Sequence, residues 1–170
     1  MFYRLPRNIS RLYKEIGFFP LLHTVIKWAL TPFEKMEEYI PKKGKILDLG
    51  CGNGLFSNYL AIKCQDREIT GLDYSTKRIS IARKTIQGRK NIAFSLGHIE
   101  SIKLSPCDCI IFSDFLHHLS YQNQEELIRC SFESLNQDGI LIIKEIDKHP
   151  IISLGRDSLP IGFEAVFRSG

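Results

Sequence analysis

The chain has 170 residues, of which 44% are hydrophobic and 25% are charged. This size and composition are typical of one soluble globular domain. The formal net charge is +4, and residues 1–30 account for all of it. The charged side chains of that segment are Arg4, Arg7, Arg11, Lys14, Lys27 and the single acid Glu15. The rest of the chain is neutral, so no nucleic-acid partner is expected.

The cysteine content and the N-terminal apolar stretch both indicate in which cellular compartment the protein is expected. Five cysteines with irregular spacing favour reduced thiols over a disulfide framework. The stretch IGFFPLLHTVI is interrupted by Gly17, Pro20 and His23 and followed by Lys27. Such a pattern fits neither a signal peptide nor a membrane-spanning helix. We therefore expect a cytoplasmic protein.

Residues 1–43 are predicted to form an N-terminal helical cap. The segment HTVIKWALTPFEKMEEYI has apolar side chains at helical spacing, and Thr31-Pro32 predicts a break between two helices. The members of this apolar stripe are Val25, Ile26, Trp28, Ala29, Leu30, Phe33, Met36 and Ile40. The following PKKGK predicts a turn.

From residue 44 to residue 147 strands and helices alternate. The predicted strands are KILDL, EITGLD, NIAFSL, DCIIFSD and GILIIKEI, and the predicted helices are LFSNYLAIK, STKRISIARKTIQ and QNQEELIRCSFESL. Ser75 is the expected N-cap of the second of these helices. Alternation of this kind predicts a Rossmann-like, doubly wound α/β sheet that is mostly parallel. Residues 148–170 are predicted to form a short irregular tail.

Residues with reactive or hydrogen-bonding groups follow the ends of the predicted strands. Glycines follow the first strand, Asp73 ends the second, and His98 follows the third. Ser113 ends the fourth, with two histidines just beyond it. Ligands of doubly wound sheets bind outside the carboxyl ends of the strands, so these residues are predicted to share one site.

The loop KILDLGCGNGLF carries glycines at positions 50, 52 and 54, which let a ligand approach the main chain closely. A phosphate-binding P-loop ends in Lys-Ser/Thr, whereas Leu55 follows here. A dinucleotide fingerprint has its third glycine one residue later, and Asp48 repels a pyrophosphate. A nucleoside sulfonium is the third candidate, and the glycine turn by itself does not choose among the three.

The stretches ILDLGCGNG and GLDYS resemble the class I S-adenosylmethionine-dependent methyltransferases, in particular their small-molecule branch. The resemblance runs from about Lys45 to Asp147 and includes HHL and SLNQDGILIIKE. It implies S-adenosylmethionine as cofactor and direct in-line methyl transfer to a small or lipid-like acceptor. Neither a metal nor an enzyme nucleophile is required for that reaction.

The same resemblance implies a set of cofactor-binding residues. Asp48 suits the ammonium group, and Asp73 suits the two ribose hydroxyls. His98 stands where the family usually has an acid, which departs from its pattern for recognising adenine. The complete set is Asp48, Gly50, Cys51, Gly52, Asp73, Tyr74, His98, Ile99 and Ser113.

His117 and His118 are the candidate catalytic residues. Each either contacts the acceptor and takes its proton or packs at the start of the next helix. Glu145 and Asp147 either line the acceptor pocket or are solvated strand ends. The N-terminal cap is expected to cover the site, and its mixture of basic and aromatic residues also suits peripheral contact with a membrane.

The family normally ends in an antiparallel strand hairpin, but few residues follow Asp147. The hairpin is predicted to be shortened or missing, or GFEAVFRSG forms one strand. A missing hairpin exposes the edge of the fifth strand and favours a homodimer through that edge. The alternative function is a protein that binds S-adenosylmethionine or S-adenosylhomocysteine with impaired catalysis.

Overall fold

The computed structural model describes residues 4–98, 104–145 and 164–169 of the chain. Its helices are α1 (Arg7–Lys14), α2 (Phe18–Leu30), α3 (Phe33–Tyr39), α4 (Leu55–Lys63), α5 (Thr76–Lys84) and α6 (Tyr121–Glu133). Its strands are β1 (Gly44–Leu49), β2 (Arg67–Asp73), β3 (Ile92–Leu96), β4 (Cys107–Ser113), β5 (Leu135–Lys144) and β6 (Glu164–Arg168). A short 3-10 helix, Leu116–His118, lies between β4 and α6.

The strands of the described part form one sheet in the order β3-β2-β1-β4-β5-β6. Neighbouring strands from β3 to β5 are parallel, and β6 runs antiparallel to β5. The chain order reverses between β1 and β4, which places a crevice at the carboxyl ends of these two strands. The predicted Rossmann-like, mostly parallel sheet is confirmed.

Helices cover both faces of the sheet because successive side chains of a strand point to opposite sides. On one side Ile46, Ile69 and Ile111 belong to a core shared with residues of α1 to α5. On the other side Ile110 and Phe112 belong to a core shared with residues of α6. The central strands are therefore buried on both faces, as parallel strands usually are.

The boundary between α6 and β5 differs from the prediction. The helix ends at Glu133, and Leu135, the last residue of the predicted helix, is the first residue of β5. Pairing of Leu135 with Cys107 of β4 extends the strand toward the helix.

The described end of the tail forms one strand. β6 pairs with β5 along its apolar part, from Ile140 opposite Arg168 to Lys144 opposite Glu164. Among the described residues GFEAVFRSG therefore contributes one strand, and the edge of β5 from Ile140 to Lys144 is paired instead of exposed. Backbone pairing with β6 satisfies that edge. Self-association through a strand edge stays a prediction, with β6 in the place of β5.

The predicted break in the N-terminal helices is confirmed, because α2 ends at Leu30 and α3 begins at Phe33. Only part of the predicted apolar stripe is buried. Its buried members are Trp28, Phe33, Met36 and Ile40, and its clearly exposed members are Val25, Ile26 and Leu30. In the described part of the chain, no helix combines the length and apolar character needed to cross a membrane.

A fully buried arginine joins the cap to the sheet. Arg67 begins β2, and its guanidinium donates to Glu37 of α3 at 2.7 Å. It also donates to the backbone carbonyls of Pro41, Ile40 and Leu60. A buried guanidinium with this many partners is stable only while all of them are in place.

We expect Arg67→Met to lower the free energy of unfolding by about 3–5 kcal/mol, because it leaves the Glu37 carboxylate buried without its main partner. Urea denaturation measures this change. Lys42→Met is the matched control, because Lys42 also contacts Glu37 but its side chain is 63% exposed; its cost should stay below about 1 kcal/mol. Equal losses of stability in the two variants would contradict the role of Arg67 as the buried partner of Glu37.

Candidate functional site

A cavity of about 90 Å³ lies at the carboxyl ends of β1 and β4, where the chain order of the sheet reverses. Strand ends and the loop after β1 form its floor, and α2 forms part of its wall. The lining residues are His23, Lys27, Phe33, Asp48, Gly50, Cys51, Gly52, Asn53, Leu55, Phe56, Arg78, Ser113, Asp114, Phe115 and His118.

The loop after β1 is held against β2 by its own backbone. The N–H groups of Gly50 and Cys51 donate to the carbonyl of Leu72, at 2.8 and 3.0 Å. Gly52 has a φ of +57°, and a side chain at this position would meet nothing within 4 Å. The main chain at Gly52 is therefore open to a ligand, in a conformation that favours glycine.

Asp73 connects this loop to the loop after β2. One carboxylate oxygen accepts from the backbone N–H of Gly52 at 2.9 Å, and the other accepts from that of Ser75 at 2.8 Å. The side chain is almost fully buried. Each carboxylate oxygen has a second lone pair, so Asp73 can still accept two hydrogen bonds from a ligand.

Asp48 is the second buried carboxylate of the site. Burial raises the pKa of Asp48 to about 6, and the hydrogen bond from Ser57 and the positive charge of Lys27 oppose this rise. Lys27 reaches the site from α2, so the cap contributes to its electrostatics. A ligand cation beside Asp48 would favour the ionised carboxylate in the same way.

The end of β4 contributes two polar side chains. The hydroxyl of Ser113 is buried and has no hydrogen-bond partner among the described residues. Next to it, Asp114 accepts from the ammonium group of Lys144 in a largely buried ion pair. An orphaned hydroxyl at a cavity wall marks a place where a ligand atom can complete the hydrogen bonding.

The two candidate histidines lie in the 3-10 helix and have different surroundings. Nδ1 of His117 is 2.7 Å from the Glu145 carboxylate, which also accepts from the N–H groups of Phe115 and Leu116. An ionised carboxylate only accepts, so His117 donates through Nδ1 and keeps Nε2 as a proton acceptor. His118 lines the cavity itself.

The remaining predicted residues lie farther out or outside the described residues. Tyr74 is 50% exposed, and His98 is exposed after the end of β3. Ile99 and Asp147 fall outside the described residues, so their predicted roles stay predictions. Glu145 is fully buried, so the alternative that it is a solvated strand end is wrong.

Comparison with known proteins agrees with this geometry. The model of a family described as methyltransferase domain matches residues 46–139, more than half of the chain, including the glycine loop and the ends of β2 and β4. The chain belongs to the class I S-adenosylmethionine-dependent methyltransferase family.

Similar proteins support the family assignment. A malonyl-(acyl-carrier protein) O-methyltransferase of Bacillus cereus is 33% identical over 98 residues, which are 58% of this chain and 36% of that protein. An uncharacterized methyltransferase of Staphylococcus carnosus is 31% identical over 102 residues, 59% of this chain and 46% of that protein. This chain therefore spans less than half the length of either relative.

One solved structure shows the same fold at moderate sequence identity. The PH0226 protein from Pyrococcus horikoshii OT3 superposes with a TM-score of 0.59 and is 29% identical. The superposition covers 67% of this chain and 54% of that one.

The site suits the cofactor of a class I methyltransferase in chemical terms. Gly52 and Ser113 line the cavity, and the buried carboxylate of Asp73, which is not among the lining residues, accepts a hydrogen bond from Gly52. The cavity is smaller than the roughly 300–1,000 Å³ of ordinary ligand pockets. A side chain at Gly50 would clash with the ring of Phe115, so this ring lies against the glycine loop. Phe115 and the α2 residues His23 and Lys27 therefore bound the space that a nucleoside would occupy.

Sequence reasoning missed the residues that reach this methyltransferase site from other elements. His23 and Lys27 come from α2, Arg78 from α5, and Phe115 from the segment after β4. Burial lowers the pKa of His23, and the charges of Lys27 and Arg78 lower it further. The only sequence signal for the α2 residues was their departure from the apolar stripe. Arg78 carried no signal that separates it from a solvated helix face.

We expect Asp48→Asn to stabilise this methyltransferase fold at neutral pH by on the order of 2–3 kcal/mol, because it removes a buried charge. The folded-state pKa of about 6 exceeds the ordinary value of about 4. Between these two pKa values the Asp48 carboxyl is protonated in the folded chain and ionised in the unfolded chain. The free energy of unfolding of the wild type therefore decreases as the pH rises between these two pKa values, because of Asp48.

Urea denaturation across this pH range, with wild type and variant compared at each pH, measures the contribution. The exposed carboxyl of Asp66 provides the control, and Asp66→Asn should leave the pH dependence unchanged. A difference between wild type and Asp48→Asn that does not vary with pH would refute the assignment.

Proposed function

We propose that the chain is an S-adenosylmethionine-dependent methyltransferase that transfers a methyl group to a small or lipid-like acceptor by direct in-line displacement. The observation that carries the proposal is the open backbone at Gly52, which lines the cavity together with Asp48 and donates a hydrogen bond to Asp73. These carboxylates attract a cation, whereas they would repel a pyrophosphate. The cofactor, when bound, supplies a methyl group already activated on a sulfonium.

Each part of the site has a binding role in this proposal. Asp48 attracts the ammonium group of the cofactor, and Asp73 accepts from the ribose hydroxyls. The hydroxyl of Ser113 lacks a partner among the described residues and hydrogen-bonds the methionine portion. Phe115 and the α2 wall exclude water from the reacting atoms, which strengthens the electrostatic interactions around them.

His117 is proposed as the general base for an acceptor that must lose a proton. Glu145 is its positioning residue, because the buried carboxylate is held by two backbone N–H groups and contacts Nδ1. In the neutral ring this contact places the proton on Nδ1, so that Nε2 is the atom that accepts a proton. The arrangement follows the general rule that a base is oriented by a third group. His118 lines the cavity and is proposed to contact the acceptor.

The acceptor class is supported by the surroundings of the site. Apolar side chains of α2 are exposed close to His23 and Lys27, which line the cavity. The Bacillus cereus relative is named for O-methylation of a malonyl group on acyl-carrier protein. Both observations favour an acceptor that joins a polar reacting group to an apolar or acyl portion.

We expect Asp73→Ala to weaken binding of S-adenosylhomocysteine by about 1–3 kcal/mol, the range for loss of a hydrogen bond to a charged group. Isothermal titration calorimetry measures the affinity. Asp66→Ala, which removes an exposed carboxyl away from the cavity, is the control and should bind as the wild type does. Unchanged affinity in Asp73→Ala would exclude the ribose role.

We expect Glu145→Gln to reduce turnover by about 100-fold or more while binding of S-adenosylhomocysteine is retained. The glutamine amide donates toward Nδ1 and so favours the tautomer with a proton on Nε2, which is no longer a base. Incubation with a cell extract and a cofactor that carries a labelled methyl group identifies the methylated product. The rates of methyl transfer to the unmethylated form of that product are then compared between wild type and variants.

His117→Ala should lower the rate as Glu145→Gln does, while binding of S-adenosylhomocysteine is retained in both variants. Full activity in His117→Ala and His118→Ala would remove both histidines from the mechanism. Binding of S-adenosylhomocysteine without any labelled product would instead favour the alternative of a cofactor-binding protein with impaired catalysis.

A further inference from the structure

Helix α2 presents an exposed apolar face to the outside of the molecule. Its exposed members are Phe18 (70%), Phe19 (79%), Leu22 (43%), Val25 (44%), Ile26 (51%) and Leu30 (75%). At 3.6 residues per turn these positions fall on one side of the helix. We refer to these six side chains as the α2 apolar face. It is a continuous surface feature, in contrast to the scattered apolar residues normal for a protein surface.

The residues that flank the α2 apolar face in the chain are basic on its N-terminal side, while the acid Glu34 lies four positions after Leu30. α2 contains no acidic residue, and Lys14 at the end of α1 lies only four positions before Phe18. The acid between the two helices, Glu15, is within 3.4 Å of Arg11, so its charge is offset. A surface that combines exposed aromatic side chains with lysine and arginine matches the interface of an anionic lipid bilayer.

We propose that the α2 apolar face docks on the surface of an anionic phospholipid membrane. The apolar side chains enter the boundary between head groups and acyl chains, and Lys14 with the other cations of α1 contacts lipid phosphates. The helix lies in the plane of the membrane and does not cross it. This docking does not depend on methyl transfer.

The α2 apolar face adjoins the cavity of the candidate site. His23 and Lys27, which line the cavity, lie on α2 between its exposed face and its buried face, where Thr24 and Trp28 are located. A membrane on the apolar face would therefore lie close to the mouth of the cavity. An amphiphilic molecule can pass from the bilayer to the site without crossing bulk water.

A second copy of the chain is a poorer match for the same face. A symmetric dimer places identical patches against one another, so the net positive segments of residues 1–30 in the two copies would approach each other. Like charges brought together in this way oppose association. An anionic bilayer offsets the same charges, which is why it is the occupant that we propose.

Sedimentation with lipid vesicles tests the proposal directly on the 170-residue chain. We expect binding to phosphatidylglycerol vesicles, weaker binding to phosphatidylcholine vesicles, and a decrease in binding as salt is added. Phe18→Ser combined with Phe19→Ser should weaken binding to phosphatidylglycerol by at least about tenfold, because two exposed aromatic anchors are lost. Lys14→Glu should also weaken it.

The controls use equally exposed positions on other helices. Tyr121→Ser on α6, where the tyrosine is 73% exposed, should bind vesicles as the wild type does, and so should Lys84→Glu on α5. Fluorescence of Trp28, the single tryptophan of the chain, checks that the variants keep their fold.

Three results would overturn the proposal. One is no sedimentation with phosphatidylglycerol vesicles, and another is equal binding by the double serine variant and the wild type. The third is a wild-type dimer in analytical ultracentrifugation that the double serine variant abolishes, because the face would then be covered by a second copy.

Discussion

The site depends on one buried carboxylate that accepts from two loops at once. Asp73 receives the N–H of Gly52 from the loop after β1 and the N–H of Ser75 from the loop after β2. These contacts join the carboxyl ends of two neighbouring parallel strands. Because the loop geometry is set before any ligand arrives, little conformational entropy has to be lost on binding. The same carboxylate that shapes the loop is the one proposed to bind the ribose.

Buried carboxylates recur around the site, and each has donors that compensate for its desolvation. Asp48 accepts from Ser57, and Glu145 accepts from two backbone N–H groups and contacts His117. Compensation is incomplete for Asp48, whose pKa is raised to about 6 by burial. The ionised Asp48 carboxylate therefore lowers the stability of the unliganded fold. A cationic ligand bound beside it would raise that stability.

The cap helix α2 serves both the site and the surface. One side carries Trp28 into the aromatic core with Phe33 and Tyr59. A second side carries His23 and Lys27 to the cavity, and a third is the α2 apolar face. The cavity wall and the proposed membrane docking therefore involve the same element.

The sequence by itself determined the α/β architecture, because hydrophobic periodicity and glycine placement are local signals that need no partner. It also selected Asp48 and Asp73 as candidates, since Asp73 ends β2 and Asp48 lies one residue before the end of β1, on strands whose carboxyl ends meet. Only the tertiary structure decided that Glu145 orients His117, that β6 covers β5, and that Lys27 reaches the site. Each of these depends on packing between segments far apart in the chain. The exposure of one side of α2 was also decided only by the tertiary structure. A helical repeat of apolar residues predicts an apolar face, but it does not show whether another part of the chain covers that face.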